Sequence, residues 1–247
     1  MPNLSNINAP ITLIGNGRSG TSLVSNIIKN HPDCTYVGET SNLIHSVFKA
    51  MISSLPKERY KDVPEVIRKQ FLNLFPTDQS EWFHKPIGIP TAKRFFQDED
   101  KFLEWYWSVM NKVFPKARYF SVFRNPVDSI YSSFMWWGRP YKAVVSSQLL
   151  MAKIIMHERS QINFVISYEN LLKSPQEETK RLLDYLELSP DDNCYSAFDK
   201  KWVANKTSKS VEDAKKSKDE IREILSDEFK LLISSMYKKY SLELPQM

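Results

Sequence analysis

Glycine is nearly missing from this sequence, with six residues in 247. Such a chain has no glycine-rich linker or collagen-like repeat, and neither an internal repeat nor a low-complexity tract is visible. Cysteine is scarcer still. Cys34 and Cys194 stand 160 positions apart and make neither a disulfide framework nor a metal-ligand spacing, so a reducing, cytoplasmic setting is expected. The four histidines, His31, His45, His84 and His157, are scattered, and no metal site is expected. No apolar run approaches the roughly 20 residues that a membrane span needs. The opening MPNLSNINAP has neither the basic nor the apolar stretch of a secretory leader, so no membrane partner is expected. Acidic and basic residues nearly balance: 34 Lys+Arg against 29 Asp+Glu leave +5, an excess that favours anionic partners and is too mild to indicate nucleic acid.

What remains is an ordinary globular composition, 42% hydrophobic and 26% charged, of a length that suits one α/β domain spanning 1–247. Short apolar runs at 11–14, 35–37, 118–123 and 162–166 read as strands. Helical spacing follows over 21–30, 125–137, 142–158 and 175–186, and a charged helical tail begins near 217. Between about 43 and 110 the chain reads as mostly helical, rich in aromatics and jointed by prolines, an insertion that would cover a substrate. Residues 200–209 carry four lysines and no acid, a basic loop. Strands alternating with helices predict a parallel sheet covered by helices on both faces.

Three of the six glycines (Gly15, Gly17 and Gly20) lie within six residues, between a strand and a helix, in Gly15-Asn16-Gly17-Arg18-Ser19-Gly20-Thr21-Ser22. Successive backbone N–H groups at a helix N-terminus form a nest for an anion. Gly15 and Gly20 have the spacing of a nucleotide-triphosphatase loop, but Thr21 stands where that loop has the lysine for the γ-phosphate, and the cation is Arg18 instead.

The run GNGRSGTSL resembles the 5′-phosphosulfate loop of sulfotransferases that use 3′-phosphoadenosine 5′-phosphosulfate (PAPS), in their carbohydrate, tyrosylprotein and bacterial branches. Three further segments are similar to that family. Arg124 and, eight positions on, Ser132 look like its 3′-phosphate motif, and an arginine fork with a hydroxyl suits a phosphate monoester. Read without the family, Arg124 is a surface partner for Asp128. Tyr168-Glu169-Asn170-Leu171-Leu172 matches Y-E-[DN]-L-L, whose tyrosine lies near the adenine. Gly38-Glu39-Thr40 is similar to the tyrosylprotein segment whose glutamate is the catalytic base, with Glu39 21 positions beyond Arg18. Arg18, Glu39, Arg124 and Tyr168 each come just after the C-terminal end of an expected strand, the edge where open parallel sheets carry their ligand crevice.

The resemblance implies a P-loop-like fold and sulfuryl transfer from PAPS, leaving 3′-phosphoadenosine 5′-phosphate (PAP), with no metal required. It implies donor contacts from Gly17, Arg18, Ser19, Gly20, Thr21, Ser22, Arg124, Ser132 and Tyr168. Arg18 and the loop N–H groups would hold the bridging phosphate oxygen, Glu39 would take the acceptor's proton, and Lys85 would add a second cation on the leaving group. Ser208 and Lys209 would close over the nucleotide. Trp105, Trp136 and Trp137 are candidates for an acceptor pocket, and a small-molecule alcohol, phenol or amine is the expected partner. The chain departs from cytosolic sulfotransferases in having no glycine after Gly138, so their glycine-rich C-terminal nucleotide loop is absent. Two other readings stay open: a P-loop small-molecule kinase using ATP and Mg²⁺ with Asp128 on the metal, and a nucleotide-binding scaffold without activity.

Overall fold

The computed structural model describes residues 10–39, 65–66, 81–85, 98–199 and 211–242. Five strands form one sheet: β1 (Ile11–Ile14), β2 (Cys34–Glu39), β3 (Glu81–Lys85), β4 (Arg118–Phe123) and β5 (Ile162–Ser167), in the order β2-β3-β1-β4-β5. β3 pairs parallel with both β1 and β2. β1 is buried along its whole length, which is why ITLI reads as a continuous apolar run without alternation. The result is a mixed α/β fold with a parallel sheet flanked by helices, as the pattern predicts.

The residues group into two compact units. The first comprises 1–14, 32–120 and 157–163. It holds β1, β2, β3 and helix α2 (Glu99–Val113). Asp98 caps α2, its carboxylate accepting from the N–H groups of Asp100 (2.9 Å) and Lys101 (3.3 Å). The helix buries Phe102, Tyr106, Trp107, Met110 and Val113, at three- and four-residue spacing. Trp107 meets Tyr119 edge-on at 5.5 Å, and the Tyr119 hydroxyl donates to the Met110 carbonyl (3.1 Å), so this aromatic cluster is core. Glu81 and Arg118 form an ion pair at 2.6 Å.

The second unit comprises 15–31, 121–156 and 164–247. α1 (Thr21–Lys29) buries Leu23, Val24, Ile27 and Ile28 and is tied to the short 3₁₀ segment Asp192–Ala197 by Asn30 donating to Ser196 (2.9 Å). α3 (Pro126–Trp137) starts on an Asn125 cap with proline at its first position and ends at Gly138, whose φ of 65° is a left-handed stop. α4 (Tyr141–Met156), α5 (Tyr168–Lys173), α6 (Pro175–Tyr185), α7 (Val211–Ile224) and α8 (Asp227–Lys239) complete it. Lys153 of α4 pairs with Glu228 of α8 at 2.9 Å. No described helix is long and apolar enough to cross a membrane.

Two expectations change. The span 43–110 contains a strand, β3, lying between β1 and β2. Five residues bracketed by Pro76 and Pro86 are too short to show a period against the proline-rich background. The charged tail starts at Val211, six residues earlier than expected, as two helices joined at Ser226, whose hydroxyl accepts from the Phe229 N–H (3.2 Å). The rest of 43–110, apart from α2 and its Asp98 cap, residues 65–66 and β3, lies outside the described residues, as does 200–210 with Ser208 and Lys209.

Candidate functional site

In the second unit the glycine loop joins the end of β1 to α1. Gly20 is the N-cap of α1 with φ 104°, and it supplies no side chain, so the first-turn N–H groups receive no side-chain acceptor and are left for an incoming anion. The Ser19 hydroxyl donates to the Asn16 carbonyl (2.7 Å) and closes the turn. Each of the three clustered glycines has a steric reason. A Cβ at Gly15 would lie 2.9 Å from the Thr21 methyl, one at Gly17 would run into the Trp137 ring, and one at Gly20 into the Tyr168 ring. Arg18 adopts a left-handed φ of 68° without being glycine, a strained backbone of the kind found where a side chain is aimed for function.

Arg18, Arg124, Ser132, Trp136, Trp137 and Tyr168 line a cleft of ≈ 580 Å³ together with Gly20, Thr21, Ser22 and Leu23. Arg18 Nε donates to Ser132 Oγ (3.1 Å), and its guanidinium lies over the Trp136 ring at 4.6 Å. The Arg124 guanidinium lies over Tyr168 at 4.9 Å, and its Nη1 reaches the Arg18 carbonyl at 3.4 Å. Burial, and after it the neighbouring Arg124 charge, pulls the Arg18 pKa below its ordinary value, while Tyr168 pushes the other way. Trp136 and Trp137 are 45% and 44% exposed, the latter carrying Arg139 over its ring at 4.8 Å. The cleft is cationic, aromatic-walled and within the range of nucleotide-sized pockets.

The alternative reading of Arg124 as a surface partner for Asp128 is not met. Asp128 pairs with Lys218 of α7 at 2.6 Å, because one turn into α3 it faces the C-terminal helices. Among the described residues no cluster of three metal-ligating side chains occurs.

Glu39 and Lys85 belong to the first unit. Register pairs them across the ends of β2 and β3, although Tyr36 pairs with Phe83: three steps along β2 match two along β3. The extra residue is a β-bulge, and Gly38 at φ 90° lies inside it with open space at its Cβ position, so conformation alone requires glycine there. Lys85 is 5% exposed. Trp105, on α2, is half-buried with its ring 6.2 Å from Phe102.

One contributor escapes sequence reasoning although it lies inside a quoted motif. Glu169 accepts from the Asn125 N–H (2.8 Å) and from the Ser167 hydroxyl (3.1 Å), tying the end of β4 to the end of β5. The residue after Arg124 is thereby fixed to the residue beside Tyr168, which holds the arginine over the ring. Gly17's dependence on Trp137, 120 positions away, leaves no local signal either.

Residues 10–192 match the family model of the sulfotransferase family. No curated protein matches the sequence. Among solved structures, the sulfotransferase domain from the curacin biosynthetic pathway aligns at 17% identity over 96% of this chain and 99% of that one, with a TM-score of 0.59. The sulfotransferase domain of the Synechococcus PCC 7002 olefin synthase aligns at 15% over 96% of each chain, TM-score 0.55. A sulfotransferase from Alicyclobacillus acidocaldarius aligns at 14%, over 95% of this chain and 97% of that one, TM-score 0.55. At these identities the likeness is one of fold.

Proposed function

This chain belongs to the sulfotransferase family, and from that premise we propose that its 247 residues form one catalytic domain that moves a sulfuryl group from PAPS to a hydroxyl or amine of a small-molecule acceptor. The observation that carries the donor reading is the cleft itself: a helix N-terminus without a side-chain cap, two guanidinium groups, a hydroxyl and an aromatic ring around ≈ 580 Å³. A nucleotide with an anion at each end fits that set. Gly17 and Gly20 add to the fit, because a side chain at either would collide with a cleft wall.

In this reading the loop N–H groups with Ser19, Thr21 and Ser22 receive the phosphosulfate, Arg124 and Ser132 the 3′-phosphate, and Tyr168 lies beside the adenine. Arg18, with the loop N–H groups, holds the bridging phosphate oxygen. Glu39 accepts the acceptor's proton as the new S–O or S–N bond forms and the bond to the phosphate oxygen breaks. Lys85, at the register position opposite Glu39, stabilises the charge that develops on that oxygen. Sulfuryl carries less charge than phosphoryl, so side-chain cations suffice and the reaction is expected to run without added Mg²⁺. Ser208 and Lys209 serve nucleotide binding, and Trp136, Trp137 and Trp105 serve acceptor recognition. Neither cysteine forms a disulfide, which supports work in the cytoplasm.

Calorimetric titration tests the donor. Micromolar binding of PAP without metal, lost in Arg124→Ala, is the expected result. A preference for ATP·Mg²⁺ would overturn the sulfotransferase reading in favour of a kinase, although Thr21 replaces the loop lysine and Asp128 is paired with Lys218.

A further inference from the structure

Helix α4 buries Val144, Gln148, Met151 and Ile155 at three- and four-residue spacing, and Gln148 is the polar member of that apolar stripe. It is 3% exposed, and its amide nitrogen has no hydrogen-bond partner among the described residues. A buried donor without an acceptor costs free energy, and an apolar side chain of similar length would pack there as its neighbours do, so the fold alone does not explain the amide. Gln148 lines a pocket of ≈ 30 Å³ within the second unit, together with Asn16, Ser133, Trp137, Arg139 and Ser147. About 10–15 Å³ holds one water, so the space takes roughly two oxygen-sized atoms. Arg139, exposed at the surface, lies over the Trp137 ring at 4.8 Å and has no carboxylate partner among the described residues. Stacking fixes the guanidinium plane and leaves its edge N–H donors clear of the ring. The polar lining is a guanidinium, two amides and two hydroxyls, with no acidic side chain.

We infer that this pocket receives a carboxylate of the acceptor, so that the molecule sulfated is a hydroxy- or amino-carboxylic acid and not a neutral alcohol or phenol. The inference rests on the sulfotransferase reading above and names the acceptor class for it. A planar group with two oxygens matches both the volume and the donors: Arg139 presents a fork, and Gln148 an amide N–H that needs an acceptor. The pocket shares Trp137 with the cleft, and Gly17, the residue before Arg18, is part of its wall. An acceptor anchored there by its acid end therefore has the glycine loop and the half-exposed Trp137 ring as neighbours. The bound carboxylate compensates the charge of Arg139, and the net charge of +5 favours the approach of an anionic acceptor.

The test uses 4-hydroxyphenylacetate, 4-(hydroxymethyl)benzoate and 6-hydroxyhexanoate, each against its methyl ester, which keeps the hydroxyl and loses the charge. Calorimetry on the full chain saturated with PAP measures binding, and transfer of labelled sulfate from PAPS measures kcat and KM. At least one acid is expected to bind roughly 10- to 100-fold more tightly than its ester, the scale of charge-assisted bonds. In Arg139→Met, which keeps an apolar stem on Trp137, and in Gln148→Met, that preference should fall about tenfold through the acid's KM, with ester binding and PAP affinity unchanged. Arg139→Lys, a charge without the planar fork, should keep only part of it. Removal of an unpartnered amide is expected to leave the thermal melt of Gln148→Met unchanged or raised, which separates loss of the preference from loss of the fold. Wild-type protein that binds PAP but holds no acid more tightly than its ester overturns the inference. So does an acid preference that survives in both methionine variants. Failure to bind PAP overturns the donor reading beneath it.

Discussion

The two edges that carry the proposed chemistry are built in different ways. In the second unit the glycine loop, Arg124 and Tyr168 are held by side-chain contacts: rings against glycines, guanidinium planes on rings, a carboxylate across two strand ends. In the first unit Glu39 and Lys85 are brought opposite each other by backbone register, through one extra residue at Gly38. A contact-built site tolerates backbone change poorly and can be dismantled one side chain at a time. A register-built pair depends on counting, and one residue more or less in β2 exchanges the faces of everything beyond it.

The sharpest break in that comparison is Glu39→Gln. Removal of a general base is expected to lower turnover by roughly 10²–10⁴-fold while PAP affinity stays unchanged. Transfer of labelled sulfate from PAPS to a panel of phenols, alcohols and amines measures the first, and calorimetry the second. Unchanged turnover would remove Glu39 from the reaction, and a parallel loss of PAP affinity would move it to the donor side.

The glycines give a second, smaller contrast. Gly20→Ala combines a left-handed φ with a collision against Tyr168 and should cost about 2–5 kcal/mol in urea unfolding. Gly38→Ala meets only the backbone penalty, about 1 kcal/mol, because its surroundings are open. Equal costs at the two positions would mean that the rings do not press on the loop.

The smallest effect separates the cysteines. Cys194 is fully buried, and burial followed by the nearby Asp191 pushes its thiol up to about 11, so at pH 8 it is almost wholly protonated and unreactive. Cys34, half-exposed on β2, should be alkylated by iodoacetamide in the native protein, with Cys194 spared until denaturation. Mass spectrometry of the peptides decides it, and modification of native Cys194 would contradict the packing around the 3₁₀ segment.

What could be read in the sequence follows the same division. The loop, the Asn125-Pro126 helix start and the strand ends at Arg124 and Tyr168 are local signals, each carried by residues within one turn of one another. The family match spans 10–192 and includes all of them. β3 was hidden because a short strand among prolines has no period to detect, and the Gly38 bulge is visible only once β3 supplies a partner to count against. The Arg18–Ser132 bond, the Lys218–Asp128 pair and the Trp137 wall against Gly17 join positions some 90 to 120 residues apart, which no local pattern encodes.

The strand order has a consequence in time. β1 is made first, yet its neighbours in the sheet, β3 and β4, begin at residues 81 and 118. The bond that fixes Arg18 closes a span of 114 residues. At roughly 5–20 residues per second, a ribosome needs on the order of ten seconds to supply Ser132 after Arg18. The glycine loop is therefore synthesised well before the residue that fixes its arginine, and any ligand that recognises only the finished cleft would stabilise this chain late in folding.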